Sequence, residues 1–212
     1  MTLRAHQPSA VILGVSLLGL TLASCGSSGV STAPEDPSET RAQLNEWVDQ
    51  NLVLLATTRT STMQREMQEV ADAGYSLAGL QGGQTGGGFW ELVAIMQRNP
   101  ESTSRTEYRL LATVKTSTME EELQRAGNAG FFYRAQTSLD KETVVILERN
   151  RDVESIQRIE YKLLATTRTS TMQQELLAAT AAGFNFAGVT VAEHLFGGKE
   201  VVTILSRPMT GN

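Results

Sequence analysis

Apolar and polar positions recur along this chain with a long period. LLATTRTSTM at 54–63, LLATVKTSTM at 110–119 and LLATTRTSTM at 163–172 are near-identical decapeptides, offset by 56 and then 53 residues. Self-similarity at such a period marks a tandem-repeat architecture. The match extends further: Glu66, Glu122 and Glu175 share one position, and Ala73-Gly74-Tyr75, Ala129-Gly130-Phe131 and Ala182-Gly183-Phe184 share another. Each copy closes on an apolar segment ending in arginine, ELVAIMQR (91–98), TVVILER (143–149) and VVTILSR (201–207).

Within a copy the pattern reads strand, helix, strand, strand. The first strand alternates, with Tyr108, Leu110, Ala112 and Val114 on one face and Leu111 and Thr113 on the other. The helix is expected to open on a capping box, in which Ser61, Ser117 and Ser170 are followed three residues later by Gln64, Glu120 and Gln173. Met63, Met67 and Val70 then form an i, i+4, i+7 stripe, as do Met172, Leu176 and Ala179. Gly74, Gly130 and Gly183 stand where a helix ends on a left-handed residue. The following aromatic opens the second strand, and a turn leads to the third.

Strands joined through a helix cross over right-handedly, so strands one and two run the same way and strand three returns antiparallel. If strands one and three are neighbours, Glu107 meets Arg149 and Glu160 meets Arg207, while in the first copy Asn51 stands in place of the acid facing Arg98. The third strands are apolar on both faces, Val144 and Ile146 on one side and Val145 and Leu147 on the other. One short helix covers one face only, so the second needs another layer. The fold class expected is α+β: three β-α-β-β repeats, at 51–99, 107–150 and 160–208, packed sheet against sheet into one pseudo-symmetric domain of about nine strands with three helices on the outside. Segments such as EYKLLA, Glu-Leu within the helix, Ala-Gly-Phe, a Gly-Gly turn and a strand ending in Arg resemble a small uncharacterised bacterial β-α-β-β domain found singly and in tandem. The resemblance implies a fold type and no activity.

At 212 residues, with 41% hydrophobic and 19% charged positions and a net charge of -5, the chain is an ordinary, mildly acidic globule. Nothing in this balance favours nucleic acid or anionic lipid as an electrostatic partner. The single Cys, Cys25, excludes an intrachain disulfide and a Cys-rich metal site. It also changes the reading of the N-terminus. Arg4 precedes Ala10 to Ala23, a 14-residue apolar run too short to span a bilayer and of the length of a signal-peptide core. Leu22-Ala23-Ser24-Cys25 closes this run and resembles the lipobox of bacterial lipoproteins.

That resemblance implies that residues 1–24 are a signal peptide and that Cys25 becomes the lipidated N-terminus of a membrane-anchored protein. Gly26 in place of Asp after Cys25 implies the outer membrane, facing the periplasm, if the source has two membranes. Residues 25–50 then comprise the lipidated Cys and a tether: GSSGVSTAPEDPSET is small, polar and Pro-containing, and a short helix is expected from Pro37 with Leu44, Trp47 and Val48 at helical spacing.

Little remains to carry chemistry. His194 is the only imidazole after residue 25, so neither a catalytic triad nor a metal site is expected, nor any cofactor. GGQTGGG at 82–88 lacks the Lys-Ser/Thr ending of a phosphate loop and is expected as a hairpin loop between strands. One sharper expectation concerns a pole of the domain. Helix N-termini and hairpin turns come to the same end of each unit, gathering Arg59, Thr60 and Ser61, Lys115, Thr116 and Ser117, and Arg168, Thr169 and Ser170. Such a pole would suit an anionic ligand or glycan. The leading reading is a non-enzymatic cell-envelope lipoprotein with a protein-interaction or scaffold role, and anion binding at the pole is the alternative.

Overall fold

The structure, a computed structural model, describes residues 50–100, 105–193 and 198–209. The signal segment, Cys25, the tether, the helix expected from Pro37 and His194 lie outside the described residues.

The repeats fold alike. The first holds β1 (Leu52–Thr57), α1 (Thr60–Asp72), β2 (Tyr75–Gln84) and β3 (Trp90–Arg98). The second holds β4 (Thr106–Thr113), α2 (Thr116–Asn128), β5 (Phe132–Leu139) and β6 (Glu142–Asn150). The third holds β7 (Ile159–Thr166), α3 (Thr169–Ala181), β8 (Asn185–Glu193) and β9 (Lys199–Pro208). Over the described residues the fold is α+β, with nine strands in three antiparallel sheets ordered β1-β3-β2, β4-β6-β5 and β7-β9-β8. Each repeat's last strand is therefore central, and its first two strands run the same way on either side of it.

This topology joins the expected charges. Glu107 lies opposite Arg149 in the β4–β6 ladder and bonds it at 2.8 Å, and Glu160 bonds Arg207 at 2.7 Å. In the first repeat Asn51 contributes its backbone instead, its carbonyl accepting from the Arg98 amide at 2.9 Å. Gly74, Gly130 and Gly183 have φ of 91, 78 and 86°, the left-handed geometry that a helix end of this type requires.

The methionine stripe packs as its spacing demands. Met63, Met67 and Val70 of α1 are buried against Val53 and Leu55 of β1 and Leu92, Ala94 and Met96 of β3. That cluster continues into the second repeat through Tyr108, Leu139, Val144 and Ile146. On the opposite face of β6, Val145 and Leu147 join Met119, Leu123 and Phe131, and this second cluster continues into the third repeat through Ile159, Tyr161 and Ile204. The central strand of the middle repeat is thus buried on both faces because a neighbouring repeat supplies the second cover. A smaller third cluster, Leu164, Met172, Ala179, Phe184 and Leu205, closes the far side.

Two devices fit the repeats together. Where β2 meets β5, a Cβ on Gly82 would lie 2.1 Å from the Ser138 carbonyl oxygen, so only glycine permits the approach that lets the Gly82 amide donate to Thr137 Oγ1 at 2.9 Å. The second device works on strand edges. Gln64 of α1 donates to the Tyr108 carbonyl at 2.8 Å and accepts from the Leu110 amide; Gln68 donates to the Thr106 carbonyl at 3.1 Å and accepts from the Tyr108 amide at 3.0 Å. These backbone groups alternate with those paired to β6, so the two glutamines close the outer edge of β4. At the next junction Gln124 and Glu120 of α2 accept from the Tyr161 and Leu163 amides of β7 at 3.2 and 3.4 Å.

Candidate functional site

The capping box does not form. Arg59, Lys115 and Arg168 are the N-cap residues, their extended backbones carry no side-chain cap, and the helices start at Thr60, Thr116 and Thr169. Ser61, Ser117 and Ser170 consequently sit at the second helical position, two residues past the cap. Gln64 and Glu120, three residues on, turn to the neighbouring strand edge instead of the helix start. The threonine ending each first strand supplies the local turn: Thr57, Thr113 and Thr166 hydroxyls accept from the Arg59, Lys115 and Arg168 amides at 3.1, 3.1 and 3.2 Å.

The three expected triplets therefore occupy equivalent places, each at the first turn of its own helix, with Arg59, Lys115 and Arg168 exposed. Because β1 and β2 run in the same direction, the first helix start and the turn of the β2–β3 hairpin share one end of their sheet, and the other repeats follow suit. That hairpin is tighter than expected: β2 runs through Gln84, placing Gly82 and Gly83 in the strand and leaving 85–89 for the turn.

Between the first two repeats this end holds a cleft of about 420 Å³ lined by Thr58, Trp90, Val114, Leu139, Asp140, Lys141 and Glu142. Its lining is mixed: Trp90, Val114 and Leu139 stand beside two carboxylates and one ammonium. Asp140 adopts φ 51° in the β5–β6 turn, a left-handed position that Asp tolerates better than most residues. A second cleft of about 270 Å³ lies at the end of α2 against residues 153–157, lined chiefly by Phe132, Val153, Ile156 and Arg149.

The buried groups whose acidities are perturbed lie at the repeat boundaries. Burial pushes the Tyr108 phenol up to about 12, opposed by the Leu77 amide, which donates to its hydroxyl at 2.8 Å. Burial likewise raises Glu148, opposed by Arg134, 3.5 Å away, and by the hydrogen bond from Tyr108. Burial raises Tyr133 to about 12, and it raises Tyr161, whose hydroxyl donates to the Phe131 carbonyl at 2.9 Å. Arg134 also donates to the Leu77 carbonyl. Tyr108, Glu148, Arg134 and the Leu77 backbone thus form one network across the first boundary, and its hydrogen bonds tie strand to strand.

Among the described residues no group of three His, Cys, Asp or Glu is placed to hold a metal ion. No described helix is long and apolar enough to cross a membrane. The boundary residues Gln64, Gln68, Glu120 and Gln124 escape a reading confined to one repeat. Their signal is comparative: an amide or acid at both positions of the first two helices, but Leu177 after Gln173 in the third. No protein-family model, curated protein or solved structure matches the chain.

Proposed function

We propose that this chain is a membrane-anchored lipoprotein of the cell envelope whose three-repeat domain serves as a non-catalytic scaffold or protein-interaction module. The observation that carries the reading is Leu22-Ala23-Ser24-Cys25 at the end of a 14-residue apolar run, with the only Cys of the chain at the acylation position. A diacylated Cys gives stable anchoring where a single acyl chain gives only marginal binding. The repeat domain would then stand off the membrane on the tether that follows Cys25, at the outer membrane facing the periplasm in a diderm source. The scaffold role is supported by the use the domain makes of its charged groups: Glu107 with Arg149, Glu160 with Arg207 and Glu148 with Arg134 fasten strands to one another. Labelled palmitate should be incorporated by the wild-type chain in the membrane fraction and not by Cys25→Ser, which should leave that fraction. A Cys25→Ser protein that still sediments with membranes overturns the anchoring.

A second reading, an anionic ligand or glycan at the helix-start pole, is favoured by the uncapped first turns beside exposed Arg59, Lys115 and Arg168. Asp140 and Glu142 in the neighbouring cleft oppose it. A thermal shift with phosphate that disappears when the three basic residues are reversed in charge would support it, and no shift in the wild type would end it.

A further inference from the structure

Each boundary between repeats is built from the same two half-surfaces. One half is the helix and second strand of the leading repeat. The other is the outer edge and outer face of the first strand of the following repeat, together with its second strand. Both halves meet twice within the chain, and among the described residues the outward half of the first repeat and that of the third are left unmatched.

At the leading end, Leu52 and Leu54 of β1 are 55 and 61% exposed. Their counterparts one repeat on are Tyr108, 3% exposed, and Leu110, packed against the first cluster. The counterparts two repeats on are Tyr161, 4% exposed, and Leu163, packed against the second. The outer edge of β1 is also the one that Gln64 and Gln68 close on β4. At the trailing end, Leu177 of α3 and Phe186 of β8 are 61 and 60% exposed, whereas Leu77, the counterpart of Phe186 in the first repeat, is 2% exposed. Repeat arrays normally end in polar capping faces, and an exposed apolar edge strand is a ready site for association.

The residues that depart from the repeat at the two ends do so as a pair. Inside the chain Gln68 lies against the backbone of Tyr108, and Gln124 against that of Tyr161. At the ends the glutamine position is Leu177 and the tyrosine position is Leu52, so both end surfaces present a leucine where the inner boundaries have a glutamine and a tyrosine. Gln173, the counterpart of Gln64, is retained and exposed. We propose that copies of this chain associate head to tail, the α3–β8 surface of one copy seating the β1 edge of the next in the geometry that already joins its own repeats. Gln173 then pairs with the Leu52 carbonyl and the Leu54 amide of the next copy, and Leu177 packs on its Leu52. Such an interface is heterologous: it generates a ring if the rotation closes and a filament if it does not. The proposal goes beyond the anchoring reading and does not depend on acylation of Cys25.

Sedimentation velocity on the full chain in dilute non-ionic detergent tests it, with Leu54→Glu blocking the leading end and Leu177→Glu with Phe186→Asp blocking the trailing end. The wild type should sediment as species of at least twice the monomer mass. Each blocked variant alone should be monomeric, with unchanged circular dichroism. Mixed in equal amounts, the two should form a dimer and nothing larger, because one open end of each kind remains. A monomeric wild type overturns the proposal, including the case in which residues 37–49 of the same chain cover the β1 edge. Association that survives either block, or that the mixture fails to restore, also overturns it.

Discussion

Gln64 and Leu110 belong to different repeats, yet the side-chain carbonyl of one accepts the backbone amide of the other while the same side chain donates to the Tyr108 carbonyl. A helix side chain here takes the place of a neighbouring strand. The edge it closes is partly buried, so removing it leaves a donor and an acceptor without partners. Gln64→Ala should therefore destabilise the domain by about 1–3 kcal/mol, measured by urea denaturation. Glu120 occupies the same place at the second boundary but can only accept, and it does so at 3.4 Å. Glu120→Gln supplies the missing donor for the Tyr161 carbonyl and should stabilise by about 1 kcal/mol. A loss of stability in that variant would mean that the two boundaries are not equivalent.

The glycines of the second strands offer a sharper test, because two positions in one strand have opposite requirements. A Cβ at Gly82 would meet the Ser138 backbone at 2.1 Å, whereas one at Gly79 has nothing within 4 Å. Backbone cannot move aside as a flexible side chain can. Gly82→Ala should cost about 3 kcal/mol or more by prising β2 from β5, while Gly79→Ala should be nearly neutral. Gly127 of α2 repeats the requirement at the second boundary, its Cβ falling 2.2 Å from the Ile159 carbonyl oxygen. Thermal melts of the three variants should rank Gly79→Ala well above the other two.

The repeats, their elements and the ion pairs are legible in the sequence because each rests on spacing within one copy. Alternation marks the strands, the Met63-Met67-Val70 stripe marks the helix, and Glu107 and Arg149 sit at strand ends that the crossover rule brings together. The boundaries are harder to read, because a glutamine on a helix looks the same whether it faces water, its own N-terminus or a neighbouring strand edge. The Ser-x-x-Gln pattern therefore points to a capping box, while tertiary context spends the Gln on β4 and leaves the helix start to Thr57 and Arg59. Duplication adds a second ambiguity: TST recurs in every copy, so its recurrence alone does not separate a binding pole from inherited turn chemistry.

Arg149 makes three interactions at once. Its guanidinium bonds Glu107 at 2.8 Å, donates to the Ala129 carbonyl at 3.1 Å and stacks over Phe131 at 4.7 Å from the ring centre. Arg207 repeats the set with Glu160, the Ala182 carbonyl and Phe184. A lysine ammonium cannot hold a carboxylate, a carbonyl and an aromatic face together, because it lacks the planar fork. Arg149→Lys should cost about 1–2 kcal/mol although charge is conserved. Glu107→Gln, which leaves the carbonyl bond and the stacking in place, should cost less. The order of the two denaturation midpoints checks the assignment.

The buried phenols make the repeat boundaries sensitive to alkali. Tyr108 titrates at about 12 in the folded chain against 10.0 when unperturbed, mainly because burial disfavours the phenolate, with the nearby Glu148 carboxylate adding to the shift. Tyr133 is raised to about 12 by burial alone. A group whose folded-state pKa is raised holds its proton more tightly in the fold than in the unfolded chain. Its contribution to stability is therefore complete below pH 10 and is lost as the pH rises from 10 towards 12. Urea midpoints should accordingly fall across that interval, and phenolate absorbance should show three tyrosines, Tyr108, Tyr133 and Tyr161, titrating late while the fold persists. Tyr108→Phe separates the two roles of the hydroxyl. At neutral pH it strands the Leu77 amide and should cost about 1–3 kcal/mol, but above pH 10 its stability should decline less steeply than that of the wild type, because one of the titrating groups is gone. Parallel declines in the two proteins would show that Tyr108 is not among the groups whose ionisation opens the boundary.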